Sequence, residues 1–297
     1  MQRPQPLVAG DAVAIVSPAG AIKEHSIVEG AAATLRSWGL TPIIAPHCLS
    51  SSGYYAGSAQ ERADDFTSML ADKNVKALLC AYGGYGCVHI LQAVAPFIAK
   101  YPKWIIGMSD CSALHAVCIE KGIMSLHAPQ CRHLSARPDD EASTRLRNIL
   151  FGENMSYSIA AHPLNIKGER EGMLVGGNLS VLCSLIRTPY DIFAPGRILF
   201  IEDINEPPYR IERMLYNLKF AGIFDTLAGI IVGEFVQTKE CPSMGGTLYE
   251  IIYNIVKDYN IPVCFGFPVG HGNRNMPMIE GSYATLKVDD KGVTLTM

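Results

Sequence analysis

Three polar clusters in the sequence carry residue types that can perform hydrolytic chemistry. Ser109 and Asp110 follow an apolar run, Glu202 and Asp203 follow a second one, and His271 lies between two glycines in a loop. A serine hydroxyl becomes a good nucleophile only when a base takes its proton, and that base is oriented by a third, usually acidic, group. The chain order Ser109, Glu202, His271 therefore supplies a nucleophile, an acid and a base.

Each cluster also has a purely structural interpretation. Ser109 or Asp110 could be the N-cap of the helix that follows, and Cys111 occupies the position of the second glycine in the hydrolase consensus Gly-x-Ser-x-Gly. The two acids could cap the next turn, and the histidine could be an ordinary loop residue. Metal binding by these acids and the histidine is a competing use. No second histidine lies at a spacing such as His-Glu-x-x-His, so we predict no metal site.

A glycine-rich segment, Ala-Tyr-Gly-Gly-Tyr-Gly at 81–86, joins a predicted strand to a predicted helix. Glycines at such a turn let the backbone approach a ligand and aim N–H groups at negative charge. A tight strand-to-helix turn without a ligand is the alternative. The spacing does not fit the dinucleotide-binding motif Gly-x-Gly-x-x-Gly, and we predict no cofactor.

The clusters are positioned by alternating strands and helices in the first half of the chain. Short apolar runs predict strands at 12–16, 42–45, 75–81, 104–108 and 124–126, with helical patterns at 27–38, 59–70 and 111–120. Such alternation predicts an α/β fold: a mainly parallel, flavodoxin-like sheet with helices on both faces. Sites in these sheets lie at the carboxyl ends of the strands, where the polar clusters occur.

The second half predicts a smaller α+β domain with a smaller sheet. Its expected elements are an apolar helix opened by Gly-Gly-Asn-Leu at 176–179, strands at 198–201 and 229–232, helices at 208–219 and 247–259, and terminal β segments. A polar stretch with several Pro and Gly residues precedes it. We therefore predict an N-terminal domain at 1–135 carrying the nucleophile, a linker at 136–171, and a C-terminal domain at 172–297 carrying the acid and base.

Composition limits the partners and the compartment. The 297 residues are 48% hydrophobic and 18% charged, which excludes a disordered chain, and the net charge of -3 argues against nucleic acid as a partner. No apolar run is long enough for a membrane span, and residues 1–10 lack the apolar region of a signal peptide. Nine scattered cysteines without Cys-x-x-Cys indicate small core residues in a reducing compartment. We expect a cytoplasmic protein.

Several motifs, in their order and spacing, resemble the LD-carboxypeptidase family of serine peptidases, which includes muropeptide tetrapeptidases and microcin-immunity relatives. The motifs are Val-Ala-Ile-Val-Ser-Pro at 13–18, Tyr-Ala-Gly at 55–57 with Arg62, Ala63 and Asp65, Gly-Gly-Tyr-Gly at 83–86, Gly-Met-Ser-Asp at 107–110, Gly-Gly-Asn-Leu at 176–179, Ile-Glu-Asp at 201–203, Pro-Tyr-Arg-Ile-Glu-Arg at 208–213, and Gly-His-Gly at 270–272. They extend over most of the chain.

The resemblance implies a role for each site residue. Ser109 would be the nucleophile, Glu202 would orient His271, and His271 would be the base. The N–H groups of Gly84 and Asp110 would form the oxyanion hole. The implied substrate is murein tetrapeptide, a small muropeptide from which D-alanine is released, and the implied assembly is a homodimer.

Two other functions stay open on the sequence. The immunity relatives imply that the same triad could hydrolyse peptidyl- or aminoacyl-nucleotide antibiotics. A non-catalytic ligand-binding module is a hypothesis of another class, in which the glycine turns hold an anion and Ser109 only caps a helix. Arg274 and Arg213 are the cations that could bind the free carboxylate of a carboxypeptidase substrate.

Overall fold

The computed structural model describes residues 1–238 and 244–297, so Cys241 lies outside the described residues. The chain forms two compact units. The first unit comprises Met1–Asn154 and Met276–Gly281, and the second comprises Met155–Asn275 and Ser282–Met297. The chain therefore returns to the first unit for a short segment near its end.

The elements of the described residues have the following bounds. The strands are β1 (Ala12–Val16), β2 (Thr41–Ile44), β3 (Val75–Cys80), β4 (Trp104–Gly107), β5 (Ser125–His127), β6 (Ser156–Ile159), β7 (Gly168–Asn178), β8 (Arg197–Ile204), β9 (Gly229–Val236), β10 (Val263–Phe265), β11 (Met278–Glu280), β12 (Tyr283–Asp289) and β13 (Gly292–Thr296). The helices are α1 (His25–Ser37), α2 (Ala59–Ala71), α3 (Leu91–Lys100), α4 (Ser112–Glu120), α5 (Cys131–Ala136), α6 (Glu141–Leu150), α7 (Leu179–Ser184), α8 (Pro208–Phe220) and α9 (Leu248–Val256).

The sheet of the first unit has the strand order β11-β5-β4-β3-β1-β2. Strands β1 to β5 pair in parallel, and β11 is antiparallel to β5. The order 2-1-3-4-5 is that of flavodoxin-like sheets. The prediction of a mainly parallel, flavodoxin-like sheet is therefore confirmed.

Burial explains why apolar runs identify these parallel strands. Every residue of β1 and β4 is buried, and β3 exposes only Lys76. Parallel strands covered on both faces carry apolar side chains on both faces, so they stand out as continuous runs. The flanking helices have clear starts as well. In α2, the Ser58 side chain accepts from the Glu61 N–H while the Glu61 side chain accepts from the Ser58 N–H.

The sheet of the second unit has seven strands in the order β10-β9-β8-β7-β12-β13-β6. Strands β7 to β10 pair in parallel, and β12, β13 and β6 add to them in antiparallel pairs. The prediction that the second domain has the smaller sheet is wrong, because its seven strands outnumber the six strands of the first sheet. The sequence did not reveal β6 and β7 because antiparallel strands with one exposed face lack a continuous apolar run. The first half of β7 is exposed and charged.

The segment 136–171, predicted as a linker, contains α6 and β6 and the start of β7. The division between the units falls within it, between Asn154 and Met155. The polar residues of this segment include an N-cap: the Asp140 side chain accepts the Ser143 N–H at 2.9 Å and starts α6. Polar residues that resemble a linker are therefore also those that begin a helix.

The described cysteines lie mostly in the protein interior as free thiols. Of the eight described cysteines, Cys183 is half-buried and the others are buried, and all eight are free thiols. This confirms their interpretation as small core residues.

Among residues 1–238 and 244–297, no helix has both the length and the apolar content needed to cross a bilayer.

Candidate active site

Ser109 lies at a sharp turn between β4 and α4. The turn is a short 3-10 segment, Ser109–Cys111, and Ser109 has a φ of 61°. Residues other than glycine are uncommon in this left-handed region, which costs roughly 1–2 kcal/mol for a residue with a side chain. A strained serine at a strand-to-helix turn is the geometry of a nucleophile elbow.

Neither Ser109 nor Asp110 caps the helix, so that alternative interpretation is wrong. Helix α4 begins at Ser112 with Cys111 as N-cap and has no side-chain cap hydrogen bond. The Oδ2 atom of Asp110 instead accepts the Cys87 N–H at 2.7 Å. Burial raises the pKa of Asp110, and the Cys87 hydrogen bond opposes this. Asp110 therefore ties the serine turn to the segment that follows β3.

The glycine-rich turn after β3 lies against the serine turn. A Cβ atom on Gly83 would lie 2.8 Å from the Cβ atom of Ser109 and 3.0 Å from its Oγ atom. Glycine permits this approach because a side chain there would overlap the serine. Gly84 has a φ of 83° and Gly86 a φ of 139°, which residues with side chains rarely adopt. The structure thus brings the glycine turn and the predicted nucleophile together.

Arg62 forms hydrogen bonds with several of the loops around this turn. Its side chain is buried, its Nε atom donates to the Pro18 carbonyl at 3.0 Å, and its Nη1 atom donates to the Gly57 carbonyl at 2.8 Å. Its Nη2 atom lies 3.1 Å from the Nδ1 atom of His89, and its guanidinium lies 5.1 Å from the ring centroid of Tyr55. Because one buried guanidinium bonds to several loops, it fixes them relative to one another.

We expect Ser109→Gly to be more stable than Ser109→Ala, although both lack the hydroxyl. Glycine relieves the strain at a φ of 61°, and its greater freedom in the unfolded chain offsets part of the gain. The expected difference in the free energy of unfolding is about 0.5–1 kcal/mol, measured by urea denaturation. The matched pair is Ser68→Gly and Ser68→Ala, since Ser68 is exposed within α2. There we expect the opposite order, with the glycine variant about 1 kcal/mol less stable than the alanine variant. Equal stabilities of the two variants at position 109 would contradict the strain.

Glu202 and His271 are in direct contact in the second unit. The Nδ1 atom of His271 lies 2.6 Å from the Oε2 atom of Glu202. Glu202 is fully buried, and the histidine side chain is 15% exposed. Because an ionised carboxylate only accepts hydrogen bonds, it assigns the imidazole proton to Nδ1 and leaves Nε2 as the proton acceptor. This is the relation between an orienting acid and a general base.

The surroundings of His271 favour its protonated form. Burial lowers the pKa of His271, but the hydrogen bond with Glu202 and the negative charges of Glu202 and Asp203 outweigh it. The net effect is a pKa raised from the ordinary value of 6.5. An imidazolium formed by proton transfer would therefore be stabilised in place.

Asp203 has a structural role. The sequence predicted that the two acids follow a strand. Strand β8 instead extends through Glu202 and Asp203, so both acids form part of it. The Oδ1 atom of Asp203 accepts from the Asn178 side chain at 2.9 Å and from the Ile204 N–H at 2.8 Å. Its Oδ2 atom accepts the Ser180 N–H at 3.0 Å. Burial raises the pKa of Asp203 to about 6 despite these bonds. Asp203 therefore fixes the start of α7.

The loop that carries His271 is fixed by a buried asparagine that sequence analysis did not identify. The Oδ1 atom of Asn275 accepts the Gly270 N–H at 3.0 Å. Gly270 has a φ of 123°, and a Cβ atom there would lie 2.8 Å from the Cβ atom of Glu202. A polar residue at the end of a glycine-rich loop is the only sequence signal for this role.

The predicted site residues therefore form two groups. Ser109, Asp110 and Gly84 belong to the first unit, and Glu202 and His271 belong to the second. Within the part of the chain that the structure describes, no group of three or more metal-ligating side chains is present. Each group has the local geometry expected of one part of a serine hydrolase site: a strained serine beside a glycine turn, and a histidine in contact with a buried acid.

Comparisons with known proteins cover both halves of the chain. Residues 13–128 match the family model of the LD-carboxypeptidase N-terminal domain, and residues 171–286 match that of the LD-carboxypeptidase C-terminal domain. The probable murein peptide carboxypeptidase of Bacillus subtilis (strain 168) is 34% identical over 298 residues, covering 97% of this chain and 92% of that protein.

Two solved structures are also similar. The muramoyltetrapeptide carboxypeptidase from Oxalobacter formigenes has a TM-score of 0.88 at 25% identity, covering 96% of this chain and 98% of that one. MccF in complex with glutamyl sulfamoyl guanosine has a TM-score of 0.87 at 21% identity, covering 99% and 98%, which shows a shared fold. Together with the domain matches and the Bacillus relative, these findings show that the chain is a peptidase that belongs to the LD-carboxypeptidase family.

Proposed function

We propose that the protein is a serine-type LD-carboxypeptidase that hydrolyses an L,D-peptide bond of murein tetrapeptide and releases the terminal D-alanine in peptidoglycan recycling. The observation that carries the proposal is the 2.6 Å contact between the Oε2 atom of Glu202 and the Nδ1 atom of His271. The strained turn at Ser109 supports it from the first unit. The substrate is supported by the names of the Bacillus and Oxalobacter relatives.

The proposed reaction uses the three side chains in two stages. The Nε2 atom of His271 takes the proton of the Ser109 hydroxyl, and the Oγ atom attacks the carbonyl carbon of the L-residue. Glu202 stabilises the resulting imidazolium. The N–H groups of Gly84 and Asp110 donate to the oxyanion, and each such donor is typically worth roughly 10²–10³ in rate. The imidazolium then protonates the departing amine of D-alanine, and a water molecule hydrolyses the acyl-enzyme.

We also propose that the enzyme acts in the cytoplasm as a homodimer. The eight free thiols of the described residues support a reducing compartment. The homodimer follows only from the family resemblance. Light scattering of the purified protein measures it, and a mass of one chain would contradict it.

The direct test is to incubate the purified enzyme with murein tetrapeptide and to measure the free alanine that is released together with the shortened peptide. A tetrapeptide that ends in L-alanine is the matched control, and we expect cleavage of the D-terminated peptide only. Release from neither peptide would contradict the proposed activity.

A parallel incubation with an aminoacyl sulfamoyl adenosine tests the alternative substrate class. We expect no hydrolysis of this compound at a rate comparable with that of the tetrapeptide. Hydrolysis of the nucleotide compound without release of D-alanine would assign the same triad to the antibiotic-hydrolysing alternative. Binding of either compound without turnover would favour a non-catalytic module.

We expect kcat/KM to decrease with decreasing pH through an apparent pKa above 6.5. Protonated His271 cannot accept the serine proton, and its pKa is raised from 6.5 by the contact with Glu202. Initial rates of D-alanine release at low substrate concentration, measured across the pH range, give this value. An acidic limb centred below 6.5 would contradict the assignment of His271 as the base.

A further inference from the structure

Glu234 is an acidic residue on the otherwise apolar strand β9, and it lies beside Glu202. Strands β8 and β9 change register at Glu202, so that this one residue opposes both Gly233 and Glu234. Such a β-bulge is rare between parallel strands, and bulges are found next to active sites, where they redirect a side chain. The bulge places a second carboxylate next to the acid that contacts His271.

The bulge also holds the chain that leads to His271. The N–H of Glu234 donates to the Val269 carbonyl at 2.9 Å. A Cβ atom on Gly233 would lie 2.6 Å from that same oxygen, so a side chain there would displace the loop. The Tyr249 hydroxyl donates to the Gly233 carbonyl at 2.9 Å and steadies the bulge from the other side. The backbone two residues before the histidine is therefore attached to β9.

The carboxylate of Glu234 reaches the residue that follows the histidine. A Cβ atom on Gly272 would overlap the carboxylate oxygens of Glu234, so the two are in close contact. Burial and the charge of Glu202 raise the pKa of Glu234, whereas the charge of Arg274 and a hydrogen bond from the Gly272 N–H lower it. The carboxylate thus interacts with the loop at two points after the histidine.

The two neighbours of His271 are held in the same way. The Gly270 N–H donates to the Asn275 side chain, and the Gly272 N–H donates to the Glu234 side chain. Both neighbours are glycines in close contact with an acidic side chain, so the loop has little room to shift. A backbone held on each side of one residue fixes the direction of its side chain.

We propose that Glu234 is a positioning residue for His271, whose carboxylate holds the backbone at Gly272 and keeps the imidazole against Glu202. The effect of Glu234 on turnover rests on the proposed function, whereas its effect on the position of the His271 imidazole does not. The contacts of Glu234 that carry this role are with the backbone of the loop. For this role the side chain must accept a hydrogen bond, and a glutamine at position 234 can also do so.

The test compares Glu234→Ala with Glu234→Gln by two measurements. The first is the pKa of His271, obtained by NMR titration of the imidazole without substrate. We expect Glu234→Ala to lower this pKa towards 6.5, because the contact with Glu202 loosens. The second is kcat for D-alanine release, which we expect to fall about 10²-fold in the alanine variant with little change in KM. We expect glutamine to retain most of both properties, because it keeps the acceptor.

Glu250→Ala is the control for a general loss of stability in the second unit. It removes the capping box of α9, where the Glu250 side chain accepts the Thr247 N–H at 2.7 Å. We expect this variant to be less stable but to keep the His271 pKa and kcat. If Glu234→Ala leaves the His271 pKa unchanged, or if alanine and glutamine lower it equally, the positioning role is wrong. If the wild-type protein releases no D-alanine while the pKa pattern holds, the proposed function fails and the positioning role stands.

Discussion

Replacing Ser109 with alanine should lower kcat by on the order of 10⁴- to 10⁶-fold, because the proposed mechanism takes its nucleophilic oxygen from this serine. The fold should persist. Alanine keeps the Cβ atom that lies beside Gly83, and it leaves the φ of 61° as it is. D-alanine release from murein tetrapeptide measures kcat, and circular dichroism with urea denaturation measures the fold and its stability.

Ser68→Ala is the control for the serine variant. Ser68 is exposed on α2 and donates only to the Asp65 carbonyl within its helix, so its loss should leave kcat unchanged. Full activity in Ser109→Ala would refute the role of this serine as nucleophile and favour a different active-site residue. Tight binding of tetrapeptide by a folded, inactive Ser109→Ala variant would instead agree with a loss of chemistry alone.

Replacing Glu202 with glutamine should lower kcat by roughly 10²- to 10⁴-fold. The amide has the same shape, but it carries no charge to stabilise the imidazolium, and its NH₂ group can favour the wrong tautomer of His271. Because the Glu202 charge that raises the histidine pKa disappears while burial remains, this pKa should fall. The acidic limb of kcat/KM should therefore move to lower pH together with the loss of rate.

The same substitution should change the dependence of stability on pH. A histidine whose pKa is raised on folding adds stability that is fully present below the ordinary value of 6.5 and is lost as the pH rises through the folded-state pKa. Glu202→Gln should thus cost more stability at a pH below 6.5 than at alkaline pH, which urea denaturation at two pH values measures. Glu169→Gln, an exposed change on β7, is the control and should show no such difference. A pH-independent cost would contradict the coupling of these residues.

The parallel part of the fold was predictable because burial on both faces makes a strand a continuous apolar run. This holds for β1, β3 and β4. The antiparallel part was not, since β6 and the exposed half of β7 have mixed polarity and take their shape from partner strands distant in sequence. The exact ends of strands also depend on pairing, so β8 continues through two acids that resemble the start of a loop.

Residues of the candidate site were visible in the sequence where chemistry marks the residue itself. A serine at a strand-to-helix turn, an acid pair in an apolar segment and a histidine between glycines are visible in the chain. The supporting residues Asn275 and Glu234 are not, because their roles depend on a loop returning to a β-bulge between two strands. An acid inside an apolar strand is the one signal by which Glu234 could have been noticed.

Strand β11 delays completion of the first sheet during protein synthesis. It pairs with β5, yet more than 120 residues separate Asn154, where the first unit is otherwise complete, from Met276. At a ribosomal rate of about 5–20 residues per second, the nascent chain carries an open sheet edge at β5 for roughly 6–24 s. Open edges pair readily with other chains. Products that terminate early, before residue 276, should therefore aggregate and depend on chaperones to a greater extent than the full-length chain.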